Sequence, residues 1–376
     1  MDLEGELCVR LRVDGGRVAQ VRVDSTRPDV ARSLLQGRTP AEVGAAVPRL
    51  FSICARSQAA ASSLACAAAA GDDTGPAALA ECSAAATSEL VRECARRVLL
   101  DWPQWIGEKP TDAAVAAARG SLAWHADAPG DQGARATAHR IAHGIAVAAF
   151  GVGADVWLAL RSLAELDGWA DAGQTASARF IRRVRDDDAR FGARPARPTP
   201  DVPLLDGRDH AAWIVELPDA CDADPDFARR PTWRGAPAET GALARRQADP
   251  LIVDLTRRSA SRIPARFVAR LRELASLLDG PATTAVGAQS RASGGGVAWV
   301  ENARGLLIHQ VRLAQGRVQS YRIVAPTEWN FHPAGALASA LLGAPARDLT
   351  AVKQGARGVV HSLDPCVSCR VEIDDA

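Results

Sequence analysis

The chain has 376 residues, 47% of them hydrophobic, and carries 45 basic against 44 acidic side chains for a formal charge of +1. That balance leaves no field to drive binding to nucleic acid or an anionic membrane surface, and no apolar run approaches the roughly 20 residues a membrane span needs. The length suffices for a large buried core, in one big domain or two subdomains.

The chain opens "MDLEGELCVRLRVDGG", acidic and alternating, unlike a signal peptide, which predicts a cytoplasmic protein whose eight Cys stay reduced. Leu7, Val9, Leu11 and Val13 share one face, "DGG" turns, and Val18, Val21 and Val23 follow, the pattern of a β-hairpin. Apolar residues three and four apart then predict helices over 28–36, 57–70, 87–100 and 138–166. The Ala-rich "ASSLACAAAA" suits tight helix packing. From 186 to 250 the texture turns to Pro, Asp, Arg and Gly, predicting a loop-rich insertion with one strand at "AAWIVEL". A helix over 264–278, a turn or hinge at "SGGG", and a second hairpin ("GLLIHQVRL" and "RVQSYRIV", joined at "AQG") complete the reading. Strand-rich ends around a helical middle imply that the termini meet in space.

Cys8, Cys66, Cys82, Cys94 and Cys221 are expected to pack as small hydrophobes. His309 falls in the second hairpin, where strand packing is the expected role. Cys366 and Cys369 in "LDPCVSCRVEIDDA" are different, because a Cys-x-x-Cys lets two thiolates reach one metal. Tetrahedral zinc needs two further ligands, and the chain holds no second such pair. A redox dithiol is expected at the start of a helix after a strand, not at a chain end. Packed thiols in a tail remain the plain alternative.

The residues around that pair decide more. In order, the chain carries "EGEL", "LLQGRTP", "FSICARS", "ENARG", "PTEWN" and "LDPCVSC". This series resembles the large subunit of nickel–iron hydrogenases, with Glu-Gly-His-Leu, Lys/Arg-Gly-Arg-x-Pro, Arg-x-Cys-Gly-x-Cys, Glu-Ala-Pro-Arg-Gly, Pro-Thr-Thr-Trp-Asn and Asp-Pro-Cys-x-x-Cys-x-x-His. The resemblance covers residues 3–105 and 290–373. It implies an α+β fold, a central helical bundle with β-hairpins at both ends. The whole chain is then one domain: 1–105 with Cys54, a helical middle over 106–185, the insertion over 186–250, and 251–376 with the Cys pair.

In the resembled enzymes four thiolates hold nickel and iron, two from each end of the chain. Cys54 and Cys366 match the terminal nickel ligands and Cys369 one bridge, but the other bridge falls on Ser57. A hydroxyl is a hard, weakly acidic donor and a poor replacement for a soft thiolate. The iron's cyanides are held by an Arg and a hydroxyl, matched by Arg304 and Thr327, a fork and a donor suited to an anionic acceptor. Asp364 matches a neighbouring carboxylate expected to pair with Arg304, and Glu4 a proton-passing Glu. Arg32 stands where a cation-binding Glu is expected and Glu372 where a terminal His is expected, which predicts an Arg32–Glu372 ion pair in place of the ion. The enzymes are trimmed after that His, and with Glu372 in its place this chain is expected to bypass the cut.

The combination resembles the HupK/HoxV family of hydrogenase accessory proteins. It implies a non-catalytic scaffold that holds an Fe(CN)2CO unit transiently, or no stably bound cofactor, and passes it to the hydrogenase large-subunit precursor. Its expected partners are that precursor and the Hyp-type small chaperone and iron-delivery complex. Two other readings are a divergent hydrogenase with working metals and a metal-free mimic that occupies the assembly chaperones.

Overall fold

The computed structural model describes residues 5–27, 30–51, 53–72, 74–125, 132–191, 202–280 and 283–375. Glu4 lies outside them. The chain gathers into two compact units, one from Met1–Ala86, Arg194–Ala244 and Thr284–Ala376, the other from Thr87–Ala193 and Arg245–Thr283. The architecture is α+β, with strands at both ends of the sequence.

In the first unit β1 (Glu6–Asp14) and β2 (Arg17–Ser25) form the expected antiparallel hairpin. Its two-residue turn, Gly15 and Gly16, takes φ values of 58° and 73°, a left-handed pair whose twist matches that of the strands. The alternation puts Leu7, Val9 and Leu11 in the core, each 2% exposed or less. A third strand, β7 (Ser368–Asp375), lies parallel to β1 and gives the order β2-β1-β7. The termini therefore do meet, through a tail strand that local patterning did not disclose.

A second sheet runs antiparallel in chain order through β3 (Val286–Arg291), β4 (Gly295–Asn302), β5 (Gly305–Ala314) and β6 (Arg317–Val324). "SGGG" spans the end of the β3–β4 turn and the start of β4, with Ser293 and Gly294 left-handed. β4 is buried throughout because both faces are covered. Helix α1 (Val30–Leu35) and α2 (Pro40–Leu50) lead into α3 (Ala55–Ala70), whose Leu64, Ala65 and Ala69 meet Ala298, Val311 and Tyr321 on one face. The approach is close: a Cβ on Gly296 would stand 2.2 Å from the Ala65 carbonyl oxygen. The Ala run is thus a thin helix face laid on a glycine, as tight packing requires.

Val297, Trp299, Leu306 and Ile308 pack on the opposite face against Leu205, Trp213, Leu217 and Cys221. This overturns the strand expected at "AAWIVEL". The segment forms two short helices, His210–Trp213 and Glu216–Ala223, with the Ile214 amide donating to the His210 carbonyl at 2.8 Å. Trp213, Leu217 and Cys221 recur every fourth residue, so only a helical period brings all three onto the sheet.

The second unit is helical. The helix expected over 138–166 is broken into Gln132–Phe150, Ala154–Leu158 and Leu163–Ala172. Gly151, at φ 78°, ends the first piece, and a Ser162–Glu165 capping box starts the last. Its core is aromatic, with Trp102 stacked on Phe180 at 4.6 Å and edge-on to Phe267 at 5.4 Å. Among the described residues no helix is long and apolar enough to cross a membrane.

Candidate functional site

Cys54 is the N-cap residue of α3, which places Ser57 and Gln58 in the helix's first turn, 0% and 2% exposed. The Gln58 side-chain amide donates to Cys54 Sγ at 3.8 Å. Its oxygen, which can only accept, lies 2.8 Å from His309 Nε2, so that ring nitrogen carries the proton. His309 Nδ1 is then bare and accepts from the Tyr321 hydroxyl at 2.8 Å. The four side chains form one directed relay, Tyr321 to His309 to Gln58 to Cys54, that aims a donor at the thiol. Full burial keeps His309 neutral, with its pKa pushed down to about 3. The histidine expected only to pack is thus also a hydrogen-bonded member of the Cys54 surroundings.

The C-terminal half is built by the helix Leu349–Leu363, which ends on Asp364 in a left-handed conformation, φ 52°. Two residues on, Cys366 Sγ lies 3.2 Å from Thr327 Oγ1 of the helix Pro326–Asn330. Arg304 sits in the β4–β5 turn. Its backbone N–H donates to Asn302 Oδ1 at 2.9 Å, and its carbonyl accepts from Asn330 Nδ2 at 3.2 Å. Gly305, at φ 134°, permits this turn, since a Cβ there would fall 2.0 Å from Thr240 Oγ1. The Arg304 and Asp364 side chains, each 4% exposed, approach to 3.9 Å, so the expected pairing takes the form of a long buried contact. Asn302 and Asn330 set this turn, and motif reading had passed over both.

Cys369 is directed elsewhere. β7 pairs it with Leu7, on the core face of the sheet. There it lines a cleft of about 380 Å³ with Glu6, Lys353, Arg357, His361 and Arg370. Burial, with the nearby Cys8 and Glu6 charges adding, pushes its thiol up to about 12. Among the described residues no group of three or more Cys, His, Asp or Glu side chains could hold a metal ion. As they stand, Cys54, Cys366 and Cys369 do not form such a group. β7 begins at Ser368, so Cys369 is already held in the sheet beside Leu7.

One charged pair was not foreseen. Arg27, just beyond β2, lies 2.9 Å from Glu328 Oε1, with side chains 15% and 18% exposed. Burial opposes the Arg27 charge, but Cys366, Glu328 and Cys54 together outweigh it and hold its pKa above the usual value. Burial pushes the Glu328 carboxyl up against the pull of Arg27. The available signal was Glu328 itself, which stands where the resembled motif has Thr, since a buried carboxylate calls for a cation.

The ion pairs of Glu372 also differ from expectation. Its carboxylate takes Arg10 at 3.0 Å and Arg370 at 2.8 Å, while Arg32 stands exposed on α1. The parallel register sets Arg10 directly opposite Glu372. A neighbouring strand roughly 4.8 Å away reaches the carboxylate before a helix can. These contacts hold the Glu372 carboxyl below its usual range, the Arg10 hydrogen bond foremost.

The family model for nickel-dependent hydrogenase matches residues 260–372. The chain is 31% identical over 373 residues to the hydrogenase expression/formation protein HoxV of Cupriavidus necator, covering 93% of this chain and 92% of that protein. It is 31% identical over 387 residues to the hydrogenase expression/formation protein HupK of Rhizobium leguminosarum bv. viciae, covering 99% and 97%. Among solved structures, the reduced Ni-Fe-Se hydrogenase of Desulfovibrio vulgaris Hildenborough superposes with a TM-score of 0.55 at 16% identity, covering 94% of each chain. That likeness establishes the fold.

Proposed function

The chain belongs to the HoxV/HupK family of hydrogenase expression/formation proteins, and from that premise we propose that it is a non-catalytic scaffold carrying an Fe(CN)2CO unit to the hydrogenase large subunit. The observation that carries this reading is Ser57. It is fully buried in the first turn of the helix that Cys54 caps, where the resembled enzymes place a bridging thiolate. With a hydroxyl there, the corner keeps soft donors at Cys54 and Cys366 but loses the bridge that two metals would share. A carrier must release what it binds, and fewer thiolates loosen the hold.

The other residues take complementary parts. Thr327 Oγ1, 3.2 Å from Cys366 Sγ, and the buried Arg304 guanidinium are the donors for cyanide nitrogen. Gln58 holds Cys54 oriented toward the cargo. Asp364 steadies Arg304. Cys369, three residues beyond Cys366, is the third thiol offered to the iron. The chain receives its cargo from the Hyp-type small chaperone and iron-delivery complex and presents it to the large-subunit precursor.

Infrared spectra of protein isolated without oxygen from cells expressing the maturation machinery test this. Cyanide and carbonyl bands without stoichiometric nickel are expected, and Cys369→Ser should abolish them. Bands accompanied by nickel and hydrogen uptake would make the chain a hydrogenase instead. A bandless protein that still captures the small chaperone would make it a mimic.

A further inference from the structure

We propose that the Arg27–Glu328 pair makes the Cys54–Cys366 corner a selector against free divalent cations, so that it admits iron carrying anionic ligands and rejects nickel and zinc ions. The inference rests on the scaffold reading above and concerns how that corner chooses its metal.

The placement of Arg27 is built, not incidental. The Thr26 amide donates to the Glu6 carbonyl at 3.0 Å, tying the end of β2 to the start of β1. Gly5, at φ 67°, lets the backbones meet, since a Cβ there would stand 2.7 Å from Arg27 Cα. The guanidinium is then fixed 2.9 Å from Glu328 Oε1. Glu328 directly follows Thr327, whose hydroxyl touches Cys366 Sγ. One short helix, Pro326–Asn330, therefore touches the Cys366 thiol through Thr327 and the Arg27 guanidinium through Glu328, and both Cys366 and Cys54 interact electrostatically with the Arg27 charge.

The chemistry follows from sign. Two thiols within the field of one side chain would ordinarily invite a soft dication such as zinc or nickel. A fixed, largely buried guanidinium repels a dication across a medium that screens poorly, while it attracts a fragment whose outer atoms are cyanide nitrogens. Glu328 offsets one positive charge, but it lies in the field of a second cation, Arg229, so the two guanidiniums and the one carboxylate together stay net positive. Nickel is the metal implied at these two thiols by the large-subunit resemblance, and the donor set here does not suit it.

The test uses the metal-free, full-length, reduced protein and free ions. Ni²⁺ and Zn²⁺ are titrated in competition with a chromophoric chelator against wild type, Arg27→Gln/Glu328→Gln and Arg27→Lys. Removing both charges together leaves no stranded carboxylate, and near-ultraviolet circular dichroism checks folding. The double variant should bind both ions at least tenfold more tightly than wild type, and adding Cys366→Ser should erase the gain. Arg27→Lys, which keeps the charge, should behave as wild type. If the double variant does not fold, Arg27→Met/Glu328→Leu, which also removes both charges together, should show the same direction. Equal affinities in wild type and charge-free variants, or tight stoichiometric binding by wild type through Cys366, would overturn the selector. Because free ions are measured on metal-free protein, this result is independent of whether iron–cyanide bands are ever seen, so the two readings fail separately.

Discussion

Gln58 accepts from His309 Nε2 at 2.8 Å and donates to Cys54 Sγ at 3.8 Å, joining a buried strand histidine to a cysteine 255 positions away in number. The amide orientation is set from behind, by a ring that can give only one proton toward it. Gln58→Leu strands the His309 N–H inside the core, which costs about 1–3 kcal/mol. A double-mutant cycle with His309→Phe in urea unfolding should return a coupling energy of about 0.5–3 kcal/mol. Strict additivity would mean that the relay carries no energy.

The same histidine gives stability a pH dependence. Its pKa is 6.5 when ordinary and about 3 when buried here. Between those values the unfolded chain binds the proton and the folded chain does not. The contribution is fully present above the ordinary value and declines as pH falls toward the folded one, by roughly 1.4 kcal/mol per pH unit. Comparison of unfolding free energies for wild type and His309→Gln across pH 4 to 7 should show the flatter profile for the variant.

Gly296 is where α3 touches β4. Ala there places its Cβ 2.2 Å from the Ala65 carbonyl oxygen and 2.5 Å from the Ala69 amide nitrogen, both of them rigid helix backbone. Gly296→Ala should therefore lose about 1–3 kcal/mol or more to overpacking, whereas Gly44→Ala, with open space at its Cβ, should cost little. Urea midpoints of the two variants separate these cases.

Arg304→Lys keeps the charge but loses the planar fork. With Asp364 also buried, the lysine should leave the fold intact by circular dichroism and shift or weaken the cyanide stretching bands of loaded protein. Unchanged bands would remove Arg304 from cyanide contact.

Ser57→Cys restores the missing thiol at a buried position with little change of volume. The variant should retain iron–cyanide bands longer after purification and support less hydrogenase activity in cells that depend on it. Faster loss of the bands would argue that Ser57 is not what loosens the hold.

Much of the first unit was legible because its signals are local. Alternation marked β1 and β2, and the Gly pair marked their turn. A spacing of four residues was also present in Trp213, Leu217 and Cys221, but β-branched neighbours in "AAWIVEL" disguised it as a strand. The expected helix over 138–166 ignored glycine and a capping box, which are equally local and simply outvoted by apolar spacing.

The sequence by itself determined the two halves of the candidate site, their order and their departures from the resembled motifs: Cys54 with Ser57, Thr327, Arg304, Asp364 and the terminal Cys pair. Residue types and short spacings are enough for that. Only the tertiary structure decided that β7 runs beside β1, which turns Cys369 into a cleft and gives Glu372 to Arg10 rather than Arg32. It likewise decided that Arg27 meets Glu328 and that His309 meets Gln58. These are pairings between distant segments, and their energies depend on register and burial, which no local period records.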